Sequence, residues 1–379
     1  MVDHQEHFLK EAEQFVKHNI DPYATSFDRS EMLPREMIDK LAEKKYLSAN
    51  LPIKYGGLEL SPVNYGKFTE IIGKSCSAVR TLITVHSTLV GESISRWGTA
   101  NQKDKWLPLI SAGSVLGAFA LSEPDTGSDA KGIQTTYRRT ADGYILNGRK
   151  KWISFGGIAN VFLTIAKDES SESITAFLVE RESKGLCSTP ISGMLAGRAT
   201  HLAEIELDHV EVPAGNVLGK VGSGFTYVVN HALDHGRYSI AWAGVAIAQA
   251  ALEEMVKYTR TRSQFGKKLC EFESVQTIIS NATIDVEAAR SYCIRAGELR
   301  GSRDPEGIMM TTMAKIFSSR VAMKVCTDAV QLHGANGLHS DFKAERLFRE
   351  AKVLEIIEGN TQVLEKVVSG AVLSKYMSS

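Results

Sequence analysis

Hydrophobic periodicity changes twice along this chain, near Gly117 and again near Gly224. Those two changes limit its architecture more than any other feature. Before the first, apolar residues recur at helical spacing: Phe8, Ala12, Phe15 and Val16, then Met37, Leu41 and Tyr46. Tyr55-Gly56-Gly57 reads as a loop, and Ser61-Pro62 as a helix start with proline in the first turn. Further helices are expected over about 79–97, stopped by Gly98, and over 101–110. Between the two changes the signals are those of strands. Residues 117–122 read as a strand followed by a loop over 123–130. Tyr137 to Thr140 and Tyr144 to Asn147 flank Ala141-Asp142-Gly143, a hairpin signature. Apolar runs at 161–166 and 175–179, an imperfect alternation at 202–207 and Val210-Glu211-Val212-Pro213 complete a region of antiparallel character. After Gly224 four long helices are expected, over about 225–262, 272–300, 305–333 and 344–375. Met309, Met313, Ile316 and Met323 form the expected core stripe of the third.

The chain is therefore expected to be an α+β protein, mostly α. Its parts are an N-terminal helical domain (1–115), a central β domain built as an antiparallel barrel or sandwich (116–222), and a C-terminal four-helix bundle (223–379). Its 379 residues suit two or three domains better than one core. Lys+Arg and Asp+Glu each number 44, which leaves no global field to attract nucleic acid or anionic lipid. Cys76, Cys187, Cys270, Cys293 and Cys326 are scattered and lack CxxC spacing, which fits reduced thiols in a cytoplasmic protein. Met1-Val2-Asp3-His4-Gln5-Glu6 has neither signal-peptide nor transit-peptide character. Residues 238–252 are rich in Ala and Gly and interrupted by Ser239 and Gln249, so they suit a packed bundle helix rather than a membrane span. No strand-GxGxxG-helix unit is present, and no histidine pair is read as having metal-ligand spacing, so no metal is expected.

Chemistry is concentrated toward the C-terminus. Glu355 and Glu358, three residues apart, are expected to fall on roughly one side of a helix. Glu358 lies between Ile356-Ile357 and Gly359: either a desolvated general base or a surface carboxylate before a helix-ending glycine. Four upstream segments have comparable dual readings. FALSEPDTGSD (119–129) is a strand entering a polar turn, and KWISFGG (151–157) offers a ring, a hydroxyl and two glycines. RSQFG (262–266) offers a guanidinium suited to phosphate beside an aromatic, and QLHGANG (331–337) is a glycine-punctuated helix end. Singly, Trp152 suits core, Arg262 a solvated helix end and Gln331 a capping position; His86, His235 and His333 read as structural.

In this order, and together with PIKYGGLELSP (52–62), QKDKWLP (102–108) and IIEGNTQ (356–362), the segments resemble the acyl-CoA dehydrogenases nearly end to end. The resemblance implies FAD between the β domain and the bundle, and a homotetramer or homodimer. It places Phe119, Leu121 and Ser122 along the isoalloxazine, with Trp152 and Ser154 covering and hydrogen-bonding it. Arg262 and Phe265 from a neighbouring subunit, with Gln331, Gly334 and Ala335, would hold the diphosphate and adenosine side; Asn360 and Gln362 would contact FAD beyond the base. Ser128, Arg237 and Gly359 would touch the thioester substrate, and Glu358 would be the catalytic base that takes the α-proton while flavin accepts hydride. Some relatives carry the base on the first helix after the β domain, where this chain has Gly236 before Arg237, which leaves Glu358 as the family-matched base. An electron-transferring flavoprotein is the implied acceptor.

Departures bear on the substrate. Asn360 stands where the family usually has Thr, Ile357 replaces a common pocket aromatic, Gly197-Arg198-Ala199-Thr200-His201 is unusual, and Val363-Leu364-Glu365-Lys366 lacks the usual basic pair. They resemble biosynthetic members acting on short polar hydroxyacyl or aminoacyl groups bound to an acyl carrier protein. Such a group needs polar partners that the sequence does not identify. An acyl-CoA oxidase and a flavin-binding interaction protein without catalysis are the remaining alternatives.

Overall fold

The computed structural model describes residues 2–377. Helices α1 (Val2–Phe15), α2 (Ala24–Ser30), α3 (Arg35–Glu43), α4 (Pro62–Ser75), α5 (Ser77–Ile83), α6 (Glu92–Trp97) and α7 (Ala100–Ser111) come first. The Ser61 side chain accepts from Asn64 N–H at the start of α4, with Pro62 at the first helical position, as the sequence predicts. A π-helical stretch, Thr84–Gly91, joins α5 to α6, so the helix expected over 79–97 is continuous but widened in its middle.

The strands are β1 (Gly117–Ala120), β2 (Thr136–Arg139), β3 (Gly143–Ile153), β4 (Val161–Asp168), β5 (Ile174–Glu180), β6 (Leu186–Pro190), β7 (Ala203–Pro213) and β8 (Val217–Leu218). Their order is β6-β7-β3-β2-β4-β5-β8, with β1 also on β4. Pairing is antiparallel except that β1 and β2 each run parallel to β4, which the antiparallel expectation lacked. Strand β4 is buried on both faces. Val161, Leu163 and Ile165 pack toward Trp106, Leu107 and Ile110 of α7, while Phe162 and Ala166 join Phe177, Ile205, Leu207 and Val210 inside the curled sheet. A strand covered on both sides has no polar face, hence its unbroken apolar run. β6 was not expected; it is an edge strand, mostly exposed, and has no apolar alternation to announce it.

A π-helical turn, Phe225–Val229, leads into α8 (Asn230–Thr261), followed by the small hairpin β9 (Ser263–Gln264) and β10 (Lys267–Lys268), then α9 (Glu273–Gly301) and α10 (Glu306–His333). The segment expected as one helix over 344–375 is two, α11 (Lys343–Leu354) and α12 (Thr361–Met377). α8 is the central rod. A Cβ on Gly244 would fall 2.6 Å from the Ser318 backbone, and one on Gly66 would fall 2.1 Å from Trp242, so α10 and α4 approach α8 at close range. That approach moves the methionines off the centre. Of the expected stripe, Ile316 is buried and Met323 packs half-buried against the bundle core, while Met309 and Met313 are only half-buried; most of the buried face of α10 is Ala314, Lys315, Ser318, Val321 and Ala322, small residues plus one cation. No described helix is long and apolar enough to cross a membrane.

Candidate active site

The break between α11 and α12 shapes the site. Glu358 has φ 55° and Gly359 φ 90°, both left-handed, a conformation that costs a non-glycine residue about 1 kcal/mol. Two buried or half-buried cations hold this turn by consecutive carbonyls: Arg237 Nε donates to Glu358 O (3.2 Å) and Lys315 Nζ to Gly359 O (2.7 Å). The turn swings the two carboxylates apart, contrary to the one-sided helix expectation. Glu355 pairs with Lys352 at 2.7 Å, whereas Glu358 lies against α8, where a Cβ on Gly236 would come within 2.5 Å of its Oε2.

That Oε2 is buried and has no hydrogen-bond partner. Burial drives the carboxyl up to about 7, against the pull of Arg237, Lys315 and Arg80. Lys315 is itself pushed down to about 8 by burial, with the attraction of Glu358 opposing. Lys315 went unremarked in the sequence because a lysine inside an amphipathic helix reads as a solvated charge. Its neighbours Ala314 and Ser318 on a buried face were the available signal.

A second group of predicted residues surrounds the end of β1. Phe119 is half-buried, Leu121 buried and Ser122 half-buried. Their loop is clasped from β3: Lys151 N–H donates to Ser122 O (2.9 Å), and Lys150 Nζ to Leu121 O (3.1 Å) and Glu123 Oε1 (2.7 Å). Lys150 and Glu123 form a buried ion pair, also unpredicted. Burial depresses Lys150 to about 8 against Glu123; burial would raise Glu123, but Lys150 and the amides of Thr135 and Gln134 keep it below its ordinary value. Just past the clasp, Trp152 sits at φ 64° and is 48% exposed, and Ser154 is half-buried. Among the described residues no hydrogen-bond partner is seen for the hydroxyls of Ser122 and Ser154 or for the Trp152 indole, so three donors remain free, and the Trp152 ring, 48% exposed, has Lys151 Nζ over it 5.0 Å from its centroid. This set fits a planar, polar-edged ring system such as a flavin. Ser128 and Asn360 connect this group to the Glu358 turn, with Asn360 Nδ2 donating to Ser128 Oγ (2.8 Å). Asn360 Oδ1 accepts from Val363 N–H (2.9 Å), so the asparagine also starts α12, and Gln362 is exposed beside it.

The remaining predicted residues lie elsewhere. Arg262, exposed, follows α8, and Phe265, 94% exposed at φ 50°, tips the β9–β10 hairpin. Gln331, Gly334 and Ala335 are exposed at the end of α10, which is tied to α8 by Tyr258 stacked on His333 at 4.1 Å. Arg237 and Arg262 are separated by the length of α8, roughly 37 Å at 1.5 Å per residue.

The histidines need one correction. His86 is structural as expected: Nδ1 accepts from Gly117 N–H (3.1 Å) and Nε2–H donates to Ile110 O (2.9 Å). His231 and His235, however, do have ligand spacing, one turn apart on α8, and with Glu92 their ligand atoms lie within 4.8 Å of one another. His235 Nδ1 and Glu92 Oε2 are hydrogen-bonded at 2.5 Å, and burial lowers His231 to about 4. An open cleft between α7 and residues 214–221 contains none of the predicted residues.

Comparison with known proteins places this geometry. Family models match along the chain: acyl-CoA dehydrogenase N-terminal domain at residues 2–114, middle domain at 118–210 and C-terminal domain at 222–373. The chain is 32% identical to the probable acyl-CoA dehydrogenase YngJ of Bacillus subtilis over 363 residues, covering 95% of each. It resembles the structure of butyryl-CoA dehydrogenase from Megasphaera elsdenii with TM-score 0.94 at 34% identity, covering 98% of this chain and 99% of that one. The prolyl acyl carrier protein oxidase AnaB matches at TM-score 0.92 and 26% identity over 97% and 98% of the chains. FkbI, for biosynthesis of a methoxymalonyl extender unit, matches at 0.88 and 27% over 96% and 99%. The chain belongs to the acyl-CoA dehydrogenase family, FAD-dependent oxidoreductases acting on CH–CH groups.

Proposed function

We propose that this chain is an acyl-thioester dehydrogenase in which Glu358 removes the α-proton. The observation that carries this reading is the buried, partnerless Oε2 of Glu358, raised toward neutrality and pressed against the bare backbone of Gly236. A carboxylate that has lost water and gained no donor is a stronger base than a solvated one. The left-handed turn aims it, and Arg237 and Lys315 keep the turn from relaxing. The Ser122 and Ser154 hydroxyls and the Trp152 ring supply the face and edge contacts for the isoalloxazine. When bound, FAD supplies the acceptor for hydride from the carbon next to the one Glu358 deprotonates. Ser128, Arg237 and Gly359 border the thioester.

Arg262, Phe265, Gln331, Gly334 and Ala335 serve the flavin of a neighbouring copy, and the distance of roughly 37 Å along α8 supports this, since one dinucleotide does not reach both ends of one chain. The assembly is a homodimer or homotetramer, and reduced flavin passes its electrons to an electron-transferring flavoprotein or a comparable acceptor. A carrier-protein-bound substrate is the second reading, favoured by the likeness to AnaB and FkbI and by the departures at Ile357, Asn360 and 363–366.

Anaerobic mixing of the yellow holoenzyme with acyl-CoAs and with the same acyl groups on a carrier protein separates these readings. Flavin bleaching by some thioester is expected, and its absence with every one removes both. Bleaching by carrier-bound groups alone removes the CoA reading. Glu358→Gln is expected to retain FAD and lose bleaching; full turnover in that variant places the base elsewhere.

A further inference from the structure

Apart from the residues assigned to flavin and thioester, one cluster brings three ligating side chains together from two helices: Glu92, His231 and His235. The histidines are four residues apart near the start of α8, so they project from one face of it, and Glu92 comes from α6 in the N-terminal helical domain. Taking one ligand atom from each, the three lie within 4.8 Å of one another. The imidazole centroids are 4.1 Å apart, and Trp97 of α6 packs edge-on against His231 at 6.3 Å. Hydrogen bonding within the cluster is incomplete. His235 Nδ1–H donates to Glu92 Oε2 (2.5 Å), which occupies one imidazole and the carboxylate. His231 takes no part in that bond, and among the described residues its buried Nε2 has no partner. Buried ring nitrogens are ordinarily paired, and a metal–nitrogen bond is one way to pair this one.

The donors specify the kind of ion. Two imidazoles and a carboxylate suit zinc, with a fourth position left for water, whereas calcium and magnesium take oxygen donors. Zinc–ligand bonds of about 2.0–2.1 Å in a tetrahedron set the donor atoms roughly 3.3 Å apart. Glu92 and His235 would part by roughly 0.8 Å and His231 would close by no more than roughly 1.5 Å to reach that spacing, within reach of side-chain rotation. As the ion binds, the proton on His235 Nδ1 passes to solvent. Asp234 and Arg300, which also act on His231, are bonded to each other (2.7 Å), which leaves Glu92 as the anion facing the imidazoles. Burial, with His235 adding to it, keeps His231 in the neutral form that ligates metals. The Glu92 and His235 side chains are 21% and 28% exposed, so an ion and its water can reach them.

We propose that Glu92, His231 and His235 bind a zinc-class divalent ion that ties α6 of the N-terminal domain to α8 of the bundle. His235 immediately precedes Gly236, so the tie lies at the part of α8 against which the Glu358 carboxylate rests. Its role is structural: an ion that binds the folded chain and not the unfolded one favours folding by mass action. The tie forms whether or not Glu358 is the base.

The test uses the flavin-loaded protein, stripped with a chelator, dialysed and titrated with Zn²⁺ by calorimetry. One ion per chain is expected to bind with a micromolar or lower Kd, and a hundredfold excess over Kd to raise the melting temperature by about 3–6 °C. His231→Gln and Glu92→Gln are each expected to weaken binding by about tenfold to a hundredfold and to abolish the thermal shift. His209→Gln, which removes the exposed His209–Asp208 pair instead, is expected to change neither. Failure of the wild type to bind below millimolar Zn²⁺, or equal binding by all three variants, overturns the proposal. If His231→Gln and Glu92→Gln do not fold, Co²⁺ added to the wild type decides. Strong visible bands of a four- or five-coordinate cobalt site, erased by Zn²⁺, support the site, and the weak bands of hydrated Co²⁺ overturn it.

Discussion

Glu358 combines a strained backbone with an unsatisfied side chain, and the two features have opposite effects on stability and on use. Its carboxyl rises from 4.5 to about 7 on folding, through burial that Arg237, Lys315 and Arg80 only partly offset. A group whose folded value lies above its unfolded value binds its proton more tightly in the folded chain. It therefore imposes no penalty below about 4.5, and an increasing one as pH rises through 7. Glu358→Gln is accordingly expected to raise the resistance of the protein to urea by roughly 3 kcal/mol at pH 8, a gain that shrinks as pH falls from 7 and vanishes below about 4.5. A gain independent of pH would mean that the carboxyl is not desolvated. In the wild type, bleaching should accelerate as pH rises through about 7, because only the ionised form takes a proton. The Glu–Gly pair was visible in the sequence. Its left-handed backbone was not, because that conformation depends on Lys315 and Arg237 reaching the turn from α10 and α8.

At the level of elements, α8 and the β1–β3 clasp matter most. Gly236→Ala should favour the helix by up to about 1 kcal/mol in propensity, yet its methyl would occupy space 2.5 Å from the Glu358 Oε2. We expect the variant to fold, bind FAD and bleach about a hundredfold more slowly, since a displaced base loses its alignment; an unchanged rate would show that the carboxylate does not work from this position. Lys150→Met leaves Glu123 buried without its cation and is expected to cost about 3–5 kcal/mol, read as a lower melting temperature with loss of flavin from the Leu121–Ser122 edge. Helices and strands with one-sided patterns were legible in the sequence. The edge strand β6 was not, having no buried face of its own, and neither was the break at 355–360, whose residues Glu355 to Glu358 are each compatible with a continuing helix.

For the whole molecule, the two groups of predicted residues lie at opposite ends of α8, and under the proposed function no single chain completes a flavin site. Light scattering is expected to show a dimer or larger. Co-expression of Glu358→Gln chains with Arg262→Ala chains should recover part of the bleaching activity that each lacks alone, because a chain with the intact base then borrows Arg262 from its neighbour. No recovery, with mixed oligomers demonstrated, would place Arg262 and Glu358 in service of the same chain's flavin.

The order helix, strand, helix and the sequence of glycine-rich segments were determined by the residues themselves, since periodicity and turn chemistry are local. So was the adjacency of Glu358 and Gly359. The tertiary structure alone decided that Lys150, Lys315 and Arg80 are interior. A lysine or arginine on a helix or strand looks the same in sequence whether water or a packed neighbour covers it, and burial, which converts such a charge from solvated surface into a clasp or a brace, depends on elements far away in the chain.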